Sequence, residues 1–241
     1  MPSSPERAVT TRTLNAPTDS SVALTVNNWY EVSFAIEDLE AAQVKRSYTL
    51  MERYAKNAAY AIARKLDTAL VTLFSNFTPS VGTGTASPVA DSDIRSAIAQ
   101  LDTANVDSEE AAFFFHPNTF WNQVQALDKF SLAINSPIND PTAKQPAAFL
   151  YGRKVFVSSQ ILNISGTEGR VNALAHPDAL HFATSPLGAG GSKGDGVGSA
   201  GIRVQSHYIP EYLSTVTTAD IAYGVVLNRA TAGVRIMTQE Q

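Results

Sequence analysis

Fourteen residues, Gly188-Ala-Gly-Gly-Ser-Lys-Gly-Asp-Gly-Val-Gly-Ser-Ala-Gly201, hold seven of the fourteen glycines in the chain. Within them Gly196-Val-Gly198-Ser-Ala-Gly201 has the spacing of a dinucleotide loop, and Lys193 beside glycine hints at a phosphate cradle. Both chemistries need a helix directly after the loop, because its first backbone N–H groups hold the phosphates. After Gly201 the chain runs Ile202-Arg-Val-Gln-Ser-His207, which alternates as a strand does. Lys193 is followed by Gly194, whereas a phosphate loop requires Ser or Thr there. The tract therefore reads as a loose loop, mobile or ordered by contact with another chain, and no nucleotide or other cofactor is expected.

The other reactive groups converge no better. The histidines are His116, His176, His181 and His207. His176 and His181 would stand about 140° apart on a helix, so they share no face for a metal. His116 lies between an apolar run and Pro117, a structural setting. Glu109-Glu110 reads as a solvated pair ahead of a strand. Zinc-protease, nucleophile-elbow, Ser-x-x-Lys and calcium-loop patterns are missing from the sequence. With no cysteine, thiol nucleophiles, thiolate zinc sites and disulfides are excluded. The expectation is a protein that is not an enzyme, with no catalytic, metal or cofactor site.

The elements must then carry the function. Residues 1–21 are rich in Ser, Thr and Pro and read as an extended arm. Val22, Leu24 and Val26, then Tyr30, Val32, Phe34 and Ile36, alternate with period two. Two readings fit: a hairpin turning at Asn27-Asn28-Trp29, or one long bent strand. From the acidic Glu37, Asp38 and Glu40, apolar residues recur every three or four positions from Val44 through Ile62 and Leu66 to Phe77. This spacing predicts one amphipathic helix that ends before Pro79 and is about 55 Å long. Lys45, Arg46, Arg53, Lys56 and Arg64 gather on one side of that helix, away from the apolar stripe. That side is either a solvated face with Glu52–Lys56 as an i,i+4 pair, or a surface that meets acidic groups on a partner subunit or nucleic acid.

After a Gly/Pro/Ser/Thr linker at 78–90 the elements shorten. Ser92 would cap a helix through Ile94, Ile98 and Leu101, and 111–115 reads as a buried strand. A helix is expected from Thr119 to about Lys129, a polar loop over 131–148 and a strand at 152–158. Residues 171–183 fit a strand or a helix. Further strands are expected at 202–207, 221–227 and 233–237, the last two as a hairpin.

Charged residues make up 17% of the 241 residues, below the usual quarter, and the formal net charge is −4. That balance argues against a dedicated nucleic-acid binder. The N-terminus carries no secretory pattern and no window approaches the ~18 apolar residues of a membrane span. A soluble protein used in a cytoplasm, with no membrane partner, is expected.

The order of elements is the informative feature. An alternating arm leads to Ile36-Glu-Asp-Leu-Glu-Ala-Ala-Gln43 and the long helix with Ala63-Arg-Lys-Leu-Asp-Thr-Ala69. Then come Leu101-Asp-Thr-Ala-Asn-Val106, Phe114-Phe-His-Pro-Asn-Thr-Phe120, Tyr151-Gly-Arg-Lys-Val-Phe-Val-Ser-Ser159 and Ala175-His-Pro-Asp-Ala-Leu180. From about residue 20 to the end, the chain resembles the major capsid proteins of tailed bacteriophages, the family with the HK97 fold. The resemblance implies an α+β protein with a β-hairpin arm, a spine helix and an α/β axial domain. It divides the chain into 1–36 as extended loop, 37–90 as peripheral domain and 91–190 as axial domain, with 191–241 returning to the sheets.

The implied function is a shell subunit that self-assembles into pentamers and hexamers around phage DNA, with scaffolding, portal and decoration proteins as further partners. The implied location is the virion capsid, assembled in the host cytoplasm. Trp29, Tyr30 and Phe34 are the arm residues expected to touch a neighbouring subunit, the competing reading being that they pack on their own. Members carry an arm and a first peripheral segment ahead of the extended loop, whereas this chain starts almost within it. Some members cross-link through a lysine in that loop, and here no lysine precedes Lys45, so no such bond is expected from this region. Two alternatives remain: an encapsulin-like compartment for protein cargo, and an α/β enzyme with a loop-borne site.

Overall fold

The computed structural model describes residues 21–39, 47–82, 87–127, 149–163, 169–185 and 201–239. Two sheets organise them. In the first, strand β1 (Asn28–Glu37) turns Tyr30, Val32, Phe34 and Ile36 to one face and leaves Trp29, Glu31 and Ser33 on the other, as period-two alternation requires. Helix α1 (Ser47–Thr72) covers the first of these faces. It buries Ala58 and Ile62 there, with Leu66 and Ala69 half-buried beside Ala219, Ile221 and Tyr223. Burying a side chain the size of Ile62 contributes about 1.5–3 kcal/mol. The helix ends in a 3₁₀ turn, Leu73–Asn76, and an extended Phe77. There Phe74 stacks on Phe77 and leans on Phe114 of the second sheet. One helix thus packs on both sheets.

Strand β9 (Ser214–Leu227) runs through the centre of the first sheet. Its Ser214–Tyr223 stretch pairs antiparallel with the whole of β1. Its other edge is shared end to end by β7 (Leu180–Ser185) and β8 (Ile202–Ile209). Ser185 stands opposite Ala222 and Ile202 opposite Ile221, so the two strands read as one strand with residues 186–201 inserted.

The second sheet has the order β2 (Ser80–Val81), β10 (Gly233–Gln239), β6 (Gly169–Ala175), β3 (Ala112–Phe115), β5 (Arg153–Val157), β4 (Phe149–Leu150). Helix α2 (Asp91–Thr103) lies against β10 and buries Ile94, Ala97 and Leu101 completely. With Phe113, Phe115, Phe120 and Leu174 they form the main core. After α1 carries the chain from the first sheet to the second, the chain passes between them twice more, at His176–Ala179 and at Asn228–Ala232. The two passages are bonded: His176 N–H donates to the Ala232 carbonyl (3.0 Å) and Asn228 N–H to that of Ala179 (2.9 Å).

Several expectations change. Residues 22–26 do not pair with β1 as a hairpin. The segment has no regular structure and crosses β9 at Gly224, where a Cβ would lie 2.3 Å from the Thr25 carbonyl oxygen. β1 pairs instead with β9, whose fourteen residues offer a longer ladder. The cap of α2 is Ala90, whose N–H donates to the Asp93 carboxylate (3.1 Å), rather than Ser92. The helix expected from Thr119 is one turn, Pro117–Thr119, widening into a π-helical turn at Phe120–Val124. Residues 171–183 are strands on either side of Pro177–Ala179. The last two strands form no hairpin, because the turn at Ala230–Ala232 delivers β10 to the other sheet. Lys45, Arg46, the 131–148 segment and the glycine tract before Gly201 lie outside the described residues.

Candidate assembly surface

The sequence motifs that looked distinctive turn out to shape the backbone. Leu101–Val106 ends α2: Val106 N–H bonds the Leu101 carbonyl and Asn105 N–H that of Asp102, with Asn105 left-handed at φ 53°. This is a Schellman stop. His116-Pro-Asn118 and His176-Pro-Asp178 are matched helix starts, in which the histidine Nδ1 accepts the N–H two residues on (3.3 and 3.1 Å). Tyr151-Gly152, at φ 51° and 77°, is the two-residue turn between β4 and β5, the geometry that matches strand twist. Arg153 then ties β5 back to Ser108 through its guanidinium.

His176 Nε2 lies 3.5 Å from the Glu110 carboxylate, and no cluster of three metal-ligating side chains occurs among the described residues. The adjoining groove, about 510 Å³, is walled by Leu70, Phe114, Phe156, Leu180 and Phe182, with Asp67, Glu110 and His176 also in its lining. Among the described residues no helix is long and apolar enough to cross a membrane.

The arm residues divide between two faces. Tyr30 lies under α1 with the Lys65 ammonium 5.7 Å from its ring centre, and Phe34 stacks on Tyr54 (5.4 Å). Both therefore pack on their own subunit. Trp29 points the other way and is 66% exposed, yet its indole N–H donates to Asp220 Oδ2 (3.0 Å). Arg203 completes the group, Nε donating to Asp220 Oδ1 at 2.9 Å and Nη2 to Oδ2. Burial pushes the Asp220 carboxyl up, but the Arg203 and Trp29 hydrogen bonds outweigh it and hold the group below the usual carboxylate range. The same pair raises Arg203. The clasp joins the start of β1 to the start of β8 across β9. Sequence reasoning missed it, since Trp29 and Asp220 are 191 residues apart.

On α1, Arg53, Lys56 and Arg64 are exposed, and Lys56 pairs with Glu52 at 2.7 Å. Arg53 and Arg64 lie about 180° around the helix from buried Ile62. The same face carries Tyr60, an exposed aromatic that the basic pattern did not flag. At the far end of the first sheet, the β8–β9 turn presents a second exposed apolar group. Leu39, Tyr212 and Leu213 are 67%, 71% and 62% exposed there. Tyr208 beside them donates its hydroxyl to Asp38 (2.8 Å), which raises the Tyr208 pKa.

No protein-family model and no curated protein matches the sequence. Solved structures do match in fold. A structure from Mycobacterium phage Che8 is 18% identical, with a TM-score of 0.66 over 94% of this chain and 76% of its own. The capsid of cyanophage P-SCSP1u is 12% identical, with a TM-score of 0.63 over 97% and 81%. The SrpI encapsulin complex of Synechococcus elongatus PCC 7942 is 11% identical, with a TM-score of 0.59 over 90% and 74%. With its long helix laid on one sheet and a second sheet closed by a helix of its own, this chain has the HK97-like fold.

Proposed function

We propose that this chain is the repeating subunit of an icosahedral shell enclosing phage DNA, a structural role with no catalytic step. The observation supporting it most is the fold shared over nearly the whole chain with phage capsids, alongside aromatic groups left exposed at several separate places. Exposed apolar groups rimmed by polar residues mark interaction sites. Copies meeting head to tail through unlike surfaces close into rings, here pentamers and hexamers. Each contact can be weak because hundreds repeat.

In this reading 1–36 is the extended loop, 37–90 the peripheral domain, 91–190 the axial domain, and 191–241 the return to both sheets. Trp29 is the arm residue best placed to meet a neighbour, since Tyr30 and Phe34 are engaged at home. Scaffolding, portal and decoration proteins are the further partners, packaged DNA is held without sequence reading, and assembly takes place in the host cytoplasm.

Likeness to the SrpI encapsulin favours a second reading, a compartment filled with protein. Sedimentation of the purified protein, followed by nuclease treatment, separates the two. Particles of megadalton size that protect DNA support the capsid, particles holding protein alone support the compartment, and a monomer contradicts both.

A further inference from the structure

We propose that the β8–β9 tip of one copy docks on the outward face of α1 of a second copy. The inference rests on the shell reading and names one of its contacts. The tip is an unusual turn. Pro210–Tyr212 forms a 3₁₀ turn, and Leu213 follows in the left-handed region at φ 44°, ψ 46°. A residue with a Cβ is disfavoured there by about 1–2 kcal/mol, and glycine is the usual occupant. Among the described residues no buried contact rewards leucine, whose side chain is exposed, as are those of Tyr212 and Leu39. The tip is nevertheless held firmly: Leu213 N–H bonds the Pro210 carbonyl (3.3 Å), and its own carbonyl accepts from Asp38 N–H (2.8 Å). Glu37, Asp38 and Glu211 ring these apolar side chains with negative charge.

The complementary surface lies on the same chain, out of the tip's own reach. Arg53, Lys56, Tyr60 and Arg64 succeed one another at i, i+3, i+7 and i+11, one stripe of a helix. Tyr60 is 68% exposed at its middle. Beside Tyr60 and Arg64 a notch of about 200 Å³, with Asp67 also in its lining, opens against Val157–Gln160 at the end of β5. Met51 lies not at the tip but beside Thr217, four residues into β9 from Leu213. Tyr60 is about 13 Å farther along the axis and faces away from the sheet. An acidic ring about an apolar tip therefore meets a basic stripe about an aromatic only between copies. The two surfaces are unlike, so the contact is head to tail and propagates into a ring.

Charge reversal tests this in the full-length chain, with assembly read by sedimentation velocity. Glu211→Arg and Arg64→Glu should each weaken assembly roughly tenfold, and the two together should restore it, because complementary rims set which surfaces pair. Leu213→Gly removes the anchor while suiting the backbone. It should melt no lower than wild type and still fail to assemble. If the single reversals and Leu213→Gly assemble as wild type does, the tip contact is wrong and the shell reading stands. Normal particles of Arg64→Glu that lose protected DNA would also overturn it, assigning the stripe to nucleic acid. A wild-type chain that stays monomeric overturns the shell reading and the contact together.

Discussion

Asp220 shows how much one side chain can determine when three strands meet at it. Its carboxylate holds Trp29 at the root of the arm and Arg203 at the root of β8. Asp220→Asn takes away the charge that both donors point at, and hydrogen bonds to a charged group contribute about 1.5–3 kcal/mol. Urea denaturation at pH 7 should register a loss of that size. Because the folded carboxyl titrates below its ordinary value of 3.8, the clasp is fully present at higher pH and is lost only as pH falls through the lower, folded value. The gap between wild type and variant should therefore close below about pH 4. Gly224 makes a second test. A methyl group there would meet the Thr25 carbonyl at 2.3 Å, so Gly224→Ala should lift the arm off β9, at a cost of about 1–3 kcal/mol. Faster proteolysis within residues 21–27, with the later strands as resistant as before, is the expected result. At this scale the sequence was legible where partners are near. Glu52–Lys56 is evident from helix spacing alone, whereas Trp29, Asp220 and Arg203 are joined only by strand register.

Elements were legible in kind more than in partnership. Alternation in Tyr30-Val32-Phe34-Ile36 tells which side of β1 is buried, but nothing in it says that the neighbour is β9 and not residues 22–26. The helix after it was equally plain, because Ile62, Leu66 and Phe74 repeat at the spacing of one face. The short motifs misled in a useful way. His116-Pro-Asn, His176-Pro-Asp, Leu101–Val106 and Tyr151-Gly152 looked like signatures and are the caps and turns that aim each element. Their order therefore reports the fold, since capping geometry leaves few residue choices. The glycine tract belongs at this scale as well. Ser185 and Ile202 face consecutive residues of β9, and Gly201 re-enters at φ 73° with no room for a Cβ beside Thr184. Deleting 186–201 and joining Ser185 to Ile202 should leave one continuous strand. The deletion variant should keep the circular dichroism of the parent and melt within a few degrees of it; loss of sheet signal would contradict the register.

For the whole molecule, the two sheets have unequal means of support. The second has a closed core under α2, with Phe113, Phe115, Ile94 and Leu101 fully buried. The first has a thin one, in which Ile62, Ala219, Ile221 and Tyr223 form the buried cluster, Ile36 and Ala58 are buried outside it, and much of α1 faces solvent. A helix so little covered by its own chain is suited to being covered by another. Cryo-electron microscopy of the purified full-length protein tests the shell reading most directly. Closed particles, built of five-fold and six-fold rings with α1 of one copy touched by the next, are the predicted result. A monodisperse monomer at high protein concentration, with its aromatic tip and basic stripe both facing water, would contradict it.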